Sequence, residues 1–263
     1  MRRGEESIAK VKLYFNMNGL LLNAKKTQCM FVGTRGLLSQ IPADTHMLVD
    51  GNPIFPSNSI RNLGIHFDPH MKFDKHIKEL SRKVYGLIMY ANRIKSNFNK
   101  SSRICVIQTL ILSQINYGIH IWGTANSTQI TLVQKLQNFA AKVALGGATK
   151  HDHVTPYLKE LGWLKVKQKY YFELGKLVYN IMNKNVPQWL LTLPRVGDVS
   201  EHVSNTRRQQ QLYVPKYHTC LGEKSLTVAG PSLWNSLPTN VKNANSLSSF
   251  ARCLKSYLCH QQF

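Results

Sequence analysis

The stretch Asp74-Lys75-His76-Ile77-Lys78-Glu79-Leu80-Ser81-Arg82-Lys83-Val84-Tyr85-Gly86-Leu87-Ile88-Met89-Tyr90-Ala91-Asn92-Arg93-Ile94 decides the reading of the fold. Asp74 is a good N-cap, because a carboxylate accepts from the free N–H groups of a first helical turn. Behind it, Ile77, Leu80, Val84, Leu87, Ile88, Ala91 and Ile94 recur every three or four residues and mark one helix face. The next segments repeat the pattern. Ser101-Ser102 opens a second helix with Ile104, Ile107, Leu110, Ile111 and Ile115 inward. Thr128 opens a third with Ile130, Val133, Leu136, Ala140 and Val143 inward, closed by Gly146-Gly147. Three helices on short loops predict a bundle.

Upstream, residues 2–18 predict an amphipathic helix carrying Ile8, Val11, Leu13, Tyr14, Phe15 and Met17, stopped by Asn18-Gly19. It opens without a capping residue, so Met1 reads as the first methionine of a fragment rather than a natural domain edge. Residues 27–33 read as a buried strand ended by Gly33. Met47-Leu48-Val49-Asp50 and Gly51-Asn52-Pro53 read as a strand and tight turn, with Ile54-Phe55 following. Residues 60–67 read as one more strand, Gly64 inside it marking a bulge or a close backbone approach. Downstream, Thr155-Pro156 starts a short helix ending at Gly162, and residues 166–183 form a long one with Tyr170, Leu174, Leu177, Val178 and Ile181 on one face. Residues 194–224 read as a polar linker containing Arg207-Arg208, Gln209-Gln210-Gln211 and a short strand at Leu212-Tyr213-Val214. A closing helix capped by Ser246 buries Leu247, Phe250, Leu254 and Leu258. The fold class is α+β and mostly α, with a small antiparallel β portion, then a helical bundle, then a helical tail.

The 263 residues carry 34 Lys+Arg against 13 Asp+Glu, a formal charge of +21, which calls for a polyanionic partner. No apolar run approaches the ~20 residues of a membrane span, and the start has no secretory h-region. The five cysteines, Cys29, Cys105, Cys220, Cys253 and Cys259, are odd in number, widely spaced and without Cys-x-x-Cys, so no zinc ribbon can be drawn and a reducing compartment fits best. His151-Asp152-His153 offers groups for a metal or a proton shuttle, but adjacent positions face different ways unless the backbone is extended, and a loop before the Thr155 cap is the simpler reading. Between Glu79 and Asp152 there is no carboxylate, yet that span holds Arg82, Lys83, Arg93, Lys95, Lys100, Arg103, Lys135, Lys142 and Lys150. Solvated helix faces usually mix both signs, so a basic bundle face without internal neutralisation points to a polyphosphate. Tyr85, Tyr90, Phe98, Tyr117 and Trp122 lie among these cations; core packing explains most of them more simply than stacking on bases. No Asp-Asp, Asp-x-Asp, Gly-x-Ser-x-Gly or phosphate-cradling Gly-Lys-Ser/Thr loop occurs.

Several short pieces then fall into a familiar order. Asn18-Gly19-Leu20-Leu21-Leu22-Asn23-Ala24-Lys25-Lys26-Thr27 with Met30-Phe31-Val32-Gly33 is followed by Asn62-Leu63-Gly64-Ile65-His66-Phe67-Asp68 and Phe73-Asp74-Lys75-His76-Ile77. Next come Tyr117-Gly118, Trp122-Gly123, Leu136-Gln137-Asn138-Phe139-Ala140-Ala141, His153-Val154-Thr155-Pro156 through Leu161-Gly162-Trp163-Leu164, and Ala229-Gly230-Pro231-Ser232-Leu233-Trp234-Asn235-Ser236-Leu237-Pro238. The series resembles non-LTR (LINE-type) retrotransposon reverse transcriptases, nearest the jockey-like branch, from residue 8 to about residue 258.

The resemblance implies that residues 1–73 are the carboxy-terminal part of the polymerase palm and residues 74–147 a thumb-like three-helix bundle. Residues 148–193 would be a helical extension, 194–224 a linker and 225–263 a helical tail. In such enzymes the F/Y-x-D-D turn that binds catalytic magnesium precedes the stretch seen here. This sequence is therefore expected to lack the metal-binding aspartates, to hold no cofactor or metal, to bind no small-molecule substrate alone, and to be inactive alone as an RNA-directed DNA polymerase. Lys26 occupies the palm lysine position, with Lys25 beside it; the alternative is a surface lysine before a strand. Gly64 falls in the primer-gripping turn. Arg82, Lys83, Arg93, Lys95, Lys100 and Arg103 match the thumb cations that touch an RNA–DNA or DNA duplex backbone, without sequence preference. The expected protein is intracellular, nuclear or cytoplasmic, not secreted and not in a membrane. The alternatives are a non-catalytic basic RNA- or DNA-binding protein and an inert transposon relic.

Overall fold

The computed structural model describes residues 2–146, 153–187, 193–199 and 210–262. Gly147, Lys150, His151-Asp152, Arg207-Arg208 and Gln209 lie outside the described residues. Of the described residues 62% are helical, and among them two antiparallel two-stranded sheets form, an α+β fold that is mostly α. It divides into two compact units, residues 1–76 and 77–263.

The first unit opens with helix α1 (Arg2–Met17), which ends where Gly19 takes φ +70° and Leu20 N–H reaches back to Phe15 O at 2.9 Å. A short turn of helix, α2 (Arg35–Leu38), follows. Strands β1 (Met47–Val49) and β2 (Asn52–Ile54) pair antiparallel, as do β3 (Ile60–Asn62) and β4 (Ile65–Phe67). Each hairpin turns through two residues of positive φ, Asp50-Gly51 (52° and 75°) and Leu63-Gly64 (46° and 83°), the backbone that matches the twist of paired strands. Gly64 is thus a hairpin corner and not a bulge within one strand. Residues 27–33 are extended but form no strand. They make one bridge, Cys29 to Pro56, with Ser57 N–H on Cys29 O at 2.8 Å, and Val32 is exposed. Strands β1 to β4 pair with their own neighbours across tight turns, and beyond that one bridge this segment joins no ladder.

Asp68 organises the loop between β4 and the next helix. Its carboxylate accepts the N–H groups of His70 (3.0 Å), Lys72 (3.1 Å) and Phe73 (2.6 Å). The loop carries Met71 and Phe73 at φ 51° and 62° and buries Phe73 against Phe67, edge to face at 5.9 Å.

The bundle of the second unit is built on helix α3 (Asp74–Ile94), whose first turn belongs to residues 74–76 of the first unit. Then come α4 (Lys100–Val106), a widened π turn (Ile107–Leu112), α5 (Ser113–Asn116), α6 (Ile119–Trp122) and α7 (Ser127–Ala144). Asn99 and Asn126 are the N-caps, accepting from Ser102 N–H and Gln129 N–H at 2.9 Å, so these helices start earlier than the Ser and Thr signals indicate. The π turn accommodates one extra residue and shifts the helical phase. Leu112 therefore takes the inner place and Leu110, expected inside, stands 51% exposed.

The rest of the second unit comprises α8 (Thr155–Leu161), α9 (Val166–Met182), short turns α10 (Val196–Val199) and α11 (Cys220–Glu223), α12 (Leu226–Ser236), α13 (Thr239–Lys242) and α14 (Leu247–Gln262). Side-chain amides hold the start of α9. Gln134 Oε1 accepts Val166 N–H and Gln262 Oε1 accepts Lys165 N–H, both at 2.8 Å. Gln137 donates to Leu164 O at 2.9 Å. The described ends of the 194–224 stretch are anchored rather than free: Leu212 is buried, bridges Arg195, and exchanges two hydrogen bonds with the Asn235 side chain (3.0 and 2.8 Å). The tail core centres on Phe250, stacked on Tyr179 at 4.5 Å and near-parallel to Trp234 at 5.8 Å. Among the described residues no helix is long and apolar enough to cross a membrane.

Two measurable consequences arise from this packing. Phe250→Ala is expected to remove about 3–5 kcal/mol, read as a lower midpoint in urea unfolding. Glu173 sits on α9 between Lys169 (2.7 Å) and Lys176 (2.9 Å). Burial pushes its carboxyl up, but the two lysine hydrogen bonds prevail and hold it below the usual glutamate range. Its contribution is present above the ordinary glutamate pKa and is lost as pH falls through the lowered one. A Glu173→Gln variant should therefore show a smaller drop in Tm between pH 5 and pH 3 (roughly the carboxylate range) than the native chain.

Candidate nucleic-acid interface

Helix α3 turns Ile77, Leu80, Val84, Ile88 and Ala91 into the core. At about 100° per residue, Lys78, Arg82, Tyr85, Gly86, Met89 and Arg93 then fall on the opposite side, and all six are exposed. Past the first helical turn of α3, Glu79 is the helix's only acid. Lys83 and Tyr90 are also exposed and lie along one edge of this face. Lys83 Nζ donates to Gln114 Oε1 at 2.7 Å, which fixes the cation beside α5.

Of the other candidate cations of the bundle, Arg103 and Lys100 are engaged within the fold, and Lys95 lies beside Arg103. The Arg103 guanidinium donates to three backbone carbonyls, Phe98 O (2.9 Å), Ala144 O (3.3 Å) and Lys95 O (3.4 Å). Gly146, at φ +78°, closes over it, and a Cβ there would overlap the guanidinium. Lys95 lies half-buried in the turn Lys95–Asn97. Lys100 is paired with Glu160 of α8, so the bundle surface is not free of neutralisation: the carboxylate comes from beyond the acid-free span. In the first unit, Lys25 and Lys26 are exposed on the turn Ala24–Lys26, capped by Asn23, and Gly64 is exposed at its hairpin corner. The structure thus brings Arg82, Lys83 and Arg93 onto one helix, gathers Lys95, Lys100 and Arg103 at that bundle's far end, and leaves Lys25, Lys26 and Gly64 in the other unit.

The aromatics depart from expectation. Only Trp122 is core, with its Nε1–H on Tyr117 O at 2.9 Å, whereas Tyr85, Tyr90, Phe98 and Tyr117 are 52%, 60%, 37% and 57% exposed. Burial of the apolar face of α3 uses Ile, Leu, Val and Ala, and the tyrosines are left for solvent. Lys78 and Gly86 are further members of this face that the charge pattern does not single out; their helical spacing with Arg82 and Arg93 is the signal the sequence offers for them. Among the described residues no three His, Cys, Asp or Glu side chains are grouped to hold a metal ion.

No family model matches the chain, and no solved structure matches it. A 97-residue stretch is 23% identical to the probable RNA-directed DNA polymerase from transposon X-element of Drosophila melanogaster, covering 36% of this chain. The chain is similar to a transposon RNA-directed DNA polymerase. The match spans 11% of the length of that relative.

Arg103 and Arg82 should separate cleanly. Arg103→Lys loses the planar fork that reaches three carbonyls and is expected to lower stability by about 1.5–3 kcal/mol. Arg82→Ala, on an exposed face, should stay within about 0.5 kcal/mol. Thermal unfolding of the two variants measures the difference.

Proposed function

We propose that this chain is the part of a jockey-like non-LTR retrotransposon reverse transcriptase that follows the catalytic aspartates, and that it grips template–primer through phosphate and sugar without reading sequence. One observation carries the reading: the exposed row Lys78, Arg82 and Arg93 on α3, whose Arg82 and Arg93 lie in the span from Leu80 to His151 that holds no carboxylate. A row of cations on one rigid helix tracks a polyphosphate backbone, and neutralising phosphates releases condensed counterions. The ordered series of family-like motifs and the similarity to a transposon polymerase support the assignment. Under it, residues 1–73 are the closing part of the palm and residues 74–147 the thumb. With no Asp-Asp or Asp-x-Asp among its thirteen carboxylates, the chain would not polymerise alone. An intracellular setting, nuclear or cytoplasmic, fits both the polyanionic partner and the five free cysteines.

The test is binding to a short RNA–DNA hybrid across a salt series, with hybrids of scrambled sequence alongside. Three phosphate contacts, at about 0.9 per phosphate, would weaken binding roughly 40-fold between 50 and 200 mM salt. The slope should be alike for every sequence and fall in Arg82→Glu/Arg93→Glu. Absence of binding at low salt, despite the net charge, sinks the proposal.

A further inference from the structure

Gly86 sits in the middle of a 21-residue helix with φ in the ordinary helical range, so no turn requires it. No packing requires it either: a Cβ built there meets nothing within 4 Å. Glycine in a helix interior is destabilising, and its presence on an exposed face fits a site that a partner approaches closely. The neighbours of a helical position are those three and four residues away, here Arg82 and Lys83 on the amino side and Met89 and Tyr90 on the carboxy side. The bare spot is therefore framed by two cations at one end and by a thioether and an aromatic ring at the other, about 10 Å apart along the axis at 1.5 Å per residue. Tyr85 and Tyr90 have no ring or hydrogen-bond partner among the described residues.

Resting on the nucleic-acid reading above, we infer that this saddle takes one unpaired nucleic-acid strand lying across α3 at Gly86, its phosphates toward Arg82 and Lys83 and its bases on Tyr90 and Met89. The two ends of the gap match the two edges of a single strand, charged on one side and flat and apolar on the other. Bases of a duplex are stacked on one another and cannot offer their faces to a ring outside the helix, whereas an unpaired strand can. The missing side chain at 86 lets the sugar rest on the helix backbone between them.

The experiment uses the full chain and labelled twelve-nucleotide strands, ribo- and deoxyribo-uniform pyrimidine, next to the RNA–DNA hybrid. Fluorescence anisotropy reads the affinities. Tyr90→Ala should weaken single-strand binding about 10-fold or more while the hybrid changes less than about 2-fold; Tyr90→Phe should keep native affinity for both. Gly86→Ala should raise Tm, having removed a helix-weakening residue, yet weaken the single strand. Equal losses for strand and hybrid in Tyr90→Ala, or none for either, overturn the saddle while the phosphate-binding reading stands. A native chain that binds neither ligand removes both.

Discussion

The guanidinium of Arg103 is the contact on which the bundle depends. The carbonyls of Lys95 and Phe98 come from the turn that ends α3, and that of Ala144 from the last turn of α7. Helix ends leave carbonyls without intrahelical partners, and one planar cation with several donors satisfies them at once. It thereby fixes where α3 and α7 end relative to the helix that carries Arg103. Gly146 is part of the same device, since its positive φ and missing Cβ make room for the guanidinium. A residue that looks like one more member of a basic face is, by its bonds, the fastener that holds the face in place.

The same economy runs through the second unit. Gln134, Gln137 and Gln262 satisfy backbone groups at residues 164–166, and Asn235 does so for Leu212. Neutral amides suit this work because they donate and accept without burying charge. Several family-like motif residues, among them Gln137, Asn235 and Asp68, are thus accounted for by backbone satisfaction in this fold. The cations of α3 are different. Lys78, Arg82 and Arg93 have their charged ends outside, over an inner face of Ile, Leu, Val and Ala.

Helix positions and the inner faces of α3, α9 and α14 are legible in the sequence, because a 3.6-residue period is written locally and burial follows it. So are the Asn18-Gly19 stop and the tight turn at Asp50-Gly51. The β portion is less so. Residues 27–33 have strand composition, but a strand needs a partner, and partners are chosen by the hairpins formed elsewhere. Gly64 reads as a bulge or a close backbone approach because the run Ile60 to Phe67 is continuous in composition; only pairing of Asn62 with Ile65 reveals the corner.

By itself the sequence determined a basic, mostly helical protein with an acid-free central span and the order of its elements, since composition and periodicity are properties of the chain. Tertiary structure alone decided which cations are available. Arg82 and Arg103 are the same residue type in the same charge run. One faces outward on a helix that buries its other side; the other meets the carbonyls of the turn just before it and of the distant end of α7. The exposure of Tyr85 and Tyr90 and the emptiness above Gly86 were settled in the same way, because solvent access depends on what the rest of the chain packs against, and that is not written in any local window.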